Sequence, residues 1–436
     1  MERNALFFYA LGTVSGDGRA HDTTGHMANR NLSEAKKAKQ DEFYTQMNDI
    51  QTEINAYLDY DENTFRGKTV LLPCDDPEWS NFTLFFAQNF ERLGLKKLIS
   101  TSYAPESKTA KYGSLFAYAA SQSDETPKNE RGKIFVLDHD VNANGRIDFE
   151  DLEWEYLKGD GDFRSEEVRQ LHDEADVIVT NPPFSMFREF LAWIMDDGDS
   201  ATKNTKKRKG KTKQFLIIGN MNAITYKEVF PLIKENKAWL GATGFVTDMV
   251  FRVPEWMEIA PADRAKAARL GYAGSYTRLG NSCWFTNLEH GRRHKPLQLM
   301  TMAQNIKHSK HKEVRGIGYR RYDNYDAIEV PFTDAIPSDY DGVMGVPISF
   351  LDKYCPEQFE IVGVAKAGAG DPALKTKTYP EQIQVARDGR ETTVTKLNDG
   401  PVLKISDPPK NELYYKIGTE MFVQAYARIL IRRKHE

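Results

Sequence analysis

The chain has 436 residues, a length that suggests two or three domains of about 150 residues each. Its 59 basic and 63 acidic side chains leave a net charge of −4, which excludes a uniformly basic surface of the kind that coats nucleic acid. Hydrophobic residues make up 40% of the chain, which excludes a wholly disordered protein, and no apolar run approaches the ~18 residues that a membrane span needs.

Short apolar runs alternate with helical patterns from residue 67 onward, which predicts βαβ units and a mostly parallel sheet. Residues 1–40 show no apolar periodicity, and we interpret them as an N-terminal tail. The predicted strands are residues 69–72, 97–101, 133–137, 176–180 and 215–219, and the predicted helices are residues 81–93, 165–175, 184–195 and 225–236. After about residue 295 the alternation fades, so we expect an irregular C-terminal module over residues 296–436.

Two basic clusters stand out against the nearly neutral total charge. Residues 203–213 carry seven basic side chains and no acidic one, and residues 307–325 interleave arginines with Tyr319, Tyr322 and Tyr325. One such run is usually a solvated loop, but two runs, one with stacking aromatics, favour a polyanionic partner. The candidate contacts are Lys206, Lys207, Arg208, Lys209, Arg315, Arg320 and Arg321.

Residues 140–151 have the spacing of a calcium-binding loop. Oxygen ligands fall at positions one, three, five, nine and twelve, which are Asp140, Asn142, Asn144, Asp148 and Asp151. Position twelve is Asp rather than Glu, and a predicted strand rather than a helix precedes the loop. Two interpretations stay open: a structural calcium site, or a hairpin whose acidic side chains are only solvated.

The clearest chemical signal follows the fourth predicted strand, where the chain reads Asn181, Pro182, Pro183 and Phe184. Two prolines after a strand end the ladder and force a stiff turn. The Asn181 amide and the Pro182 carbonyl then both offer acceptor oxygens, which can grip the two hydrogens of a planar amino group. Phe184 offers a face on which the ring that bears this amine can stack.

This tetrapeptide resembles the catalytic motif of amino-methyltransferases that use S-adenosylmethionine. In chain order, the wider pattern resembles the EcoRI-type family of adenine-specific DNA methyltransferases from residue 40 to the C-terminus. The segments that carry the resemblance are residues 41–45, 74–77, 80–82, 161–165, 181–184, 281–285 and 347–354. The resemblance implies an α/β fold with a Rossmann-like methyltransferase domain over residues 41–295 and a DNA-recognition module over residues 296–436.

The resemblance also implies roles for individual residues. Phe43, Tyr44 and Thr45 would line the methionine end of the cofactor. Cys74, Asp75, Asp76 and Pro77 form the tip of the first predicted strand, where the two carboxylates would meet the cofactor's amino group. Asp162 and Phe163 would bind and cover its adenine.

One feature departs from the usual methyltransferase pattern, because no Gly-x-Gly follows the first strand. A glycine-rich stretch occurs instead at residues 363–370, so a permuted arrangement with the cofactor loop there stays open. We expect adenine-N6 methylation of a flipped base in double-stranded DNA, in a restriction-modification or phage setting. The alternatives are methylation of RNA or protein glutamine, and a non-catalytic, calcium-loaded DNA-binding protein.

Further expectations concern the environment and the assembly. The three cysteines, Cys74, Cys283 and Cys355, are far apart in sequence, which favours a reducing compartment. The short apolar N-terminal run lacks the basic flank of a signal peptide. We therefore expect a prokaryotic or phage-infected host cytoplasm, no membrane contact, and a monomer or weak dimer.

Overall fold

The computed structural model describes residues 43–78, 80–104, 131–139, 153–196, 213–245, 249–253, 258–278, 281–368, 370–395, 397–410 and 412–434. The predicted N-terminal tail and the calcium-type loop at residues 140–151 lie outside these ranges, as do Lys206, Lys207, Arg208 and Lys209.

Strands and helices alternate up to about residue 240, and strands dominate after residue 325. The strands are β1 (Tyr44–Thr45), β2 (Thr69–Leu72), β3 (Lys97–Thr101), β4 (Lys133–Leu137), β5 (Trp154–Tyr156), β6 (Val177–Thr180), β7 (Gln214–Asn220), β8 (Trp239–Leu240), β9 (Val250–Arg252), β10 (Tyr276–Arg278), β11 (Ser282–Thr286), β12 (Ile328–Glu329), β13 (Met344–Pro347), β14 (Phe359–Ala365), β15 (Gln382–Val385), β16 (Glu391–Val394), β17 (Val402–Ile405), β18 (Tyr414–Ile417), β19 (Glu420–Gln424) and β20 (Arg428–Arg433). The α-helices are α1 (Met47–Leu58), α2 (Asn81–Gln88), α3 (Phe90–Leu93), α4 (Glu166–Glu174), α5 (Phe187–Met195), α6 (Phe230–Lys234), α7 (Pro261–Arg269) and α8 (Met302–His308). Short 3-10 helices cover Phe184–Met186, Met221–Thr225, Gly291–His294, Thr333–Ala335, Ile348–Lys353 and Pro372–Leu374.

The central sheet has eight strands in the order β5-β4-β3-β2-β6-β7-β11-β8. The pairs β2–β3, β2–β6 and β6–β7 are parallel, whereas β4, β5, β11 and β8 join antiparallel at the two sides. The prediction of a mostly parallel sheet is therefore wrong, and the sheet is mixed. All five predicted strands are present, but an apolar run does not reveal its own direction, because direction depends on how the connecting chain crosses the sheet.

Two helices that pack on the central sheet start at a serine cap. The Ser80 hydroxyl accepts the amide N–H of Phe82 at the start of α2, and the Ser165 hydroxyl accepts that of Val168 at the start of α4. Helix α5 buries one apolar face, formed by Phe187, Phe190, Leu191, Trp193 and Ile194. These helices pack on a sheet whose inner strands β2 and β6 are buried along their whole length.

The chain after residue 295 contains two sheets, so the expected irregular module is also a wrong prediction. One sheet has the strand order β12-β13-β20-β14 and the other β16-β15-β18-β19-β17. All pairings in them are antiparallel except β12–β13. Short antiparallel strands connected by turns lack the strand–helix alternation that marks the first half, which explains why the sequence pattern missed them.

One hydrophobic core runs across residue 295. It combines Phe187 and Phe190 of α5 with Ile361 of β14 and Ile431 of β20. The boundary at residue 295 stays a prediction. None of the helices within the described ranges has the length and apolar character that a membrane span requires.

Candidate active site

Three motif segments meet at the carboxyl edge of the central sheet. Strands β3, β2 and β6 are parallel neighbours, so the chain leaves them side by side. The segment Gly161-Asp162-Phe163 also lies at this edge, because Gly161 packs against the backbone of Ser102, which directly follows β3. A Cβ on Gly161 would stand 2.1 Å from the Ser102 carbonyl oxygen, and its φ is +77°. Glycine suits this position because it has no Cβ that would clash with this oxygen and because it adopts a positive φ without strain.

The Asn181 amide is held in one orientation at the end of β6. Its Nδ2 donates to the backbone carbonyl of Phe43 at 2.6 Å. Its Oδ1 is buried and has no hydrogen-bond partner among the described residues. A buried acceptor without a donor costs about 1–3 kcal/mol, so this oxygen is suited to a donor that a ligand brings.

The next three residues form the rest of the turn. Pro182 is buried, and Pro183 has φ −54° and ψ 124° at the start of the 3-10 helix Phe184–Met186. The half-buried Phe184 belongs to an aromatic cluster with Phe43 and Phe251. Its ring centroid lies 5.6 Å from that of Phe43 and 6.4 Å from that of Phe251. The motif therefore combines a fixed acceptor with an aromatic wall.

The segment before α1 completes this wall. Strand β1 pairs with β9, which places Thr45 opposite Phe251. The Thr45 carbonyl accepts from Asn81 Nδ2 at 2.7 Å. The Thr45 hydroxyl is buried without a hydrogen-bond partner among the described residues. Tyr44 precedes it in the same strand. The predicted cofactor segment at residues 43–45 is thus brought directly against the turn at residues 181–184.

Asp75 links the tips of β2 and β6. Its Oδ2 accepts the Thr180 hydroxyl at 2.6 Å, and its Oδ1 accepts the Ser80 hydroxyl at 2.7 Å. The side chain is only 6% exposed. Burial raises the pKa of the Asp75 carboxyl to about 7, although the two hydroxyls act in the opposite direction. Such a carboxyl is poised to ionise when a cation is placed beside it.

Asp76 and Pro77 follow at the same strand tip. Asp76 Oδ2 lies 3.3 Å from Lys133 Nζ, and the same ammonium pairs with Glu78. Pro77 is buried. Asp76 is therefore already paired with a cation, so Asp75 is the better candidate for the cofactor's amino group.

Cys74 follows β2 and precedes Asp75 at the strand tip. Burial, together with the charges of Asp75 and Asp162, raises the pKa of its thiol well above the usual range. Asp162 makes two hydrogen bonds to the side chain of Arg164, at 2.9 and 2.7 Å. The three cysteines are all free thiols, and Cys283 and Cys355 are buried.

The sequence predicts that Phe163 covers the cofactor's adenine, but the structure places its ring in the hydrophobic core. Its ring is 6% exposed and packs in the core, with centroids 5.0 Å from Phe190 and 5.5 Å from Trp193. A role as an adenine cover stays a prediction.

The C-terminal candidates divide into exposed arginines and buried tyrosines. Arg315, Arg320 and Arg321 are exposed, and Arg321 pairs with Asp326. Tyr322 and Tyr325 are 5% and 2% exposed, and their hydroxyls bond to Glu329 and to the Asp399 carbonyl. The half-buried Tyr319 donates to the Ala335 carbonyl. The expectation of a stacking surface is wrong for Tyr322 and Tyr325, because their rings are buried in the core, and for the half-buried Tyr319 it stays a prediction.

The calcium prediction concerns residues outside the described ranges. Within the ranges that the structure does describe, no cluster of three or more His, Cys, Asp or Glu side chains could hold a metal ion. Calcium binding by Asp140, Asn142, Asn144, Asp148 and Asp151 stays a prediction.

Sequence pattern did not single out Thr180 or Phe251 for a role. Thr180 is the last residue of β6, and its hydroxyl acts on Asp75, which is 105 positions away. The sequence has no local signal for this contact, because it connects two strands. Phe251 reaches the site only through the pairing of β9 with β1, for which the sequence offers no local signal.

Comparison with known proteins places this site in a family. A family model described as "Adenine-specific methyltransferase EcoRI" matches residues 31–434. The chain belongs to this family. It is therefore an adenine-specific methyltransferase.

Curated relatives from three bacteria agree with this assignment. The Type II methyltransferase M.EcoRI from Escherichia coli is 41% identical over 345 residues, which cover 78% of this chain and 90% of the relative. The Type II methyltransferases M.MpnI from Mycoplasma pneumoniae and M.MgeORF184P from Mycoplasma genitalium are 32% and 31% identical, over 80% of this chain and 90% of each relative. No solved structure matches the chain.

Family membership implies S-adenosylmethionine as the methyl donor, and the site fits it. The cofactor carries a positively charged amino group and a sulfonium. Asp76 pairs with Lys133 and Asp162 with Arg164, whereas the buried Asp75 has no ion pair among the described residues. The Thr45 hydroxyl is also buried without a partner among the described residues. A carboxyl that a nearby cation would ionise and an unused hydroxyl suit such a ligand.

Proposed function

We propose that the chain is a site-specific DNA methyltransferase of type II restriction-modification, which methylates N6 of an adenine flipped out of duplex DNA. The observation that carries the proposal is the state of Asn181. One of its two N–H donors is committed to the Phe43 carbonyl, which fixes the amide plane, and its buried acceptor has no partner among the described residues. The amide can therefore offer a free acceptor oxygen at this site.

The target amine meets this acceptor in a defined way. One N6 hydrogen is donated to Asn181 Oδ1 and the other to the Pro182 carbonyl, which directs the nitrogen lone pair away from the adenine ring. Phe184 stacks against the flipped base and holds its plane. S-adenosylmethionine, when bound, supplies an electrophilic methyl group.

The neighbouring residues bind and orient rather than react. Asp75 offers its carboxylate to the cofactor's amino group, and Thr45 its hydroxyl. Both acceptors of the amine are neutral amide oxygens, so the proton that leaves N6 passes to water. Cys74 is a poor candidate for a nucleophile, because burial and the adjacent Asp75 carboxylate disfavour its thiolate.

The family assignment narrows the alternatives. An adenine-specific family favours a nucleobase over a glutamine side chain, and an enzyme over a non-catalytic, calcium-loaded DNA-binding protein. The relatives' designation as type II methyltransferases supports DNA over RNA. A cytoplasmic location, where host DNA is accessible, and a monomeric or weakly dimeric state belong to the same proposal.

Methyl transfer from labelled S-adenosylmethionine to bacterial genomic DNA and to total RNA tests the substrate. We expect label in DNA alone, recovered as N6-methyladenine after digestion to nucleosides. Label in RNA, in protein or in methylcytosine would overturn the proposal.

A further inference from the structure

A second concave site lies beside the catalytic turn, at the same edge of the sheet. It is a cleft of about 900 Å³ between the catalytic half and β14. Arg188 lines it from the first turn of α5, directly after the catalytic turn. Tyr226 lines it from the chain that follows β7, the parallel neighbour of β6. Lys366 and Gly370, from the glycine-rich segment after β14, close the opposite side.

The centre of the cleft holds two cations around one aromatic ring. Arg188 Cζ lies 5.5 Å from the Tyr226 ring centroid, and Lys366 Nζ lies 5.9 Å from it. Lys366 Nζ also donates to the Thr225 hydroxyl at 2.7 Å. The Lys366 side chain is half-buried, and burial lowers the pKa of its ammonium group. A half-buried ammonium that bonds only a hydroxyl is short of an anionic partner.

The acidic residues of the cleft do not supply that partner. Each of the four pairs with another base; the pairs are Glu228–Lys227, Glu235–Lys237, Glu360–Arg432 and Asp371–Lys234. In the part of the chain that the structure describes, no ion pair involves Arg188, Lys366 or Lys434, which all line the cleft. The uncompensated charge of the cleft is therefore positive.

We propose that this cleft clamps one backbone phosphate of the DNA strand that carries the target adenine, through Arg188 and Lys366. An arginine and a lysine that contact the same aromatic ring and pair with no carboxylate among the described residues are suited to a phosphate. The position supports this ligand, because Arg188 lies only four residues beyond Phe184, against which the flipped base is proposed to stack. A nucleotide held there has neighbouring phosphates within reach of the same sheet edge. The inference rests on the proposed function.

Three variants separate the clamp from other roles. Lys366→Met removes one central charge and retains an unbranched stem. Arg188→Gln does the same at an exposed position, where the fold is not at risk. The matched control is Lys227→Met on the same cleft, because this lysine is 83% exposed and already pairs with Glu228.

The experiment measures binding to a duplex that contains the site methylated by the wild type, at several salt concentrations. Single phosphates of this duplex are replaced in turn by neutral methylphosphonates. We expect Lys366→Met and Arg188→Gln each to weaken DNA binding by about ten- to a hundred-fold. The slope of log affinity against log salt concentration should fall by about 0.9 for each lost phosphate contact. Replacing one phosphate beside the target adenine by a methylphosphonate should weaken binding by the wild type but not binding by the variants. Lys227→Met should behave as the wild type does.

Two results would overturn the clamp. One is an unchanged salt slope and phosphate profile in both central variants. The other is a loss of S-adenosylmethionine affinity with DNA binding intact, which would assign the glycine-rich cleft to the cofactor. If the wild type itself methylates no adenine in DNA, the proposed function fails instead, so the two failures are distinguishable.

Discussion

At the scale of single residues, the site depends on two buried polar groups whose bonding is incomplete. Asn181 lacks a donor for its oxygen among the described residues, and Asp75 lacks a cation. Burying an incompletely bonded polar group costs folding stability, and each of these two groups suits one reactant, the target base or the cofactor. In the proposed function, the amide accepts the amine of the base and the carboxyl binds the cationic cofactor.

Asp75 should make cofactor binding release a proton. Because its carboxyl has a raised pKa of about 7, it is mostly protonated at pH 6, and an adjacent ammonium would ionise it. Calorimetry with S-adenosylhomocysteine in buffers of different ionisation enthalpy measures the release. We expect about one proton at pH 6 for the wild type and none for Asp75→Asn. The matched control is Asp61→Asn, the same change on an exposed side chain. Equal release by wild type and Asp75→Asn would remove Asp75 from the cofactor's contacts.

At the scale of elements, two separate parts of the chain shape the turn after β6. The two prolines stop the strand, and β1 with β9 supplies Phe43 and Phe251 against Phe184. The wall is therefore assembled from segments that are distant in sequence, and the small sheet β1-β9-β10 positions the aromatic side of the site.

Substitutions of Phe184 test whether its ring stacks on a base. Phe184→Ala should lower methylation turnover by about ten- to a hundred-fold, since a stacking contact is worth about 1–3 kcal/mol. Phe184→Tyr and Phe184→Trp keep a π-face and should retain most of the activity, and cofactor affinity should not change in any of the three. Steady-state rates on one DNA substrate give the comparison. Equal losses in all three variants would make Phe184 a packing residue.

The sequence predicts the elements of the catalytic half more successfully than their arrangement. The apolar runs at residues 69–72, 97–101 and 133–137 coincide with β2, β3 and β4. An apolar run encodes burial, which is a local property. It does not encode the antiparallel direction of β4, which depends on a long connection.

The sequence likewise does not reveal the environment of individual polar and aromatic side chains. Tyr322 and Tyr325 stand among arginines in sequence, yet both are buried in the C-terminal core, because the backbone bends at residues 323–324 and turns both rings inward. The turn at residues 181–184 could be singled out from the sequence because the chemistry assigned to it is contained in four consecutive residues, and its catalytic role stays a prediction. The contact between the Thr180 hydroxyl and Asp75 could not be singled out in this way, since it connects two strands.

At the scale of the whole molecule, the catalytic edge and the four-stranded C-terminal sheet share one core, so target recognition by that sheet would be coupled to the site. Exposed Arg320 is the candidate base-reading side chain, whereas Arg321 is engaged by Asp326.

Arg320→Ala should relax the choice of sequence at one base pair. A bidentate contact to guanine contributes about 1–3 kcal/mol of discrimination, or about ten- to a hundred-fold in relative rate. Methylation rates across a library of single-base variants of the site measure this, with Arg321→Ala as the comparison. If Arg320→Ala slows all sites equally and their rank order persists, this arginine contacts only phosphate.

The central claim is that Asn181 accepts the target amine and does not hold the cofactor. Single-turnover methyl transfer to a saturating duplex, measured beside S-adenosylmethionine affinity, tests it most directly. For Asn181→Ala we expect the rate to fall by about 10²–10³-fold or more, as for other preorganised hydrogen-bonding groups, with cofactor affinity within a few-fold of the wild type. Asn63→Ala, which removes an exposed amide bonded only to Arg66, should leave both quantities unchanged. An Asn181→Ala enzyme that still transfers the methyl group at the wild-type rate would contradict the account.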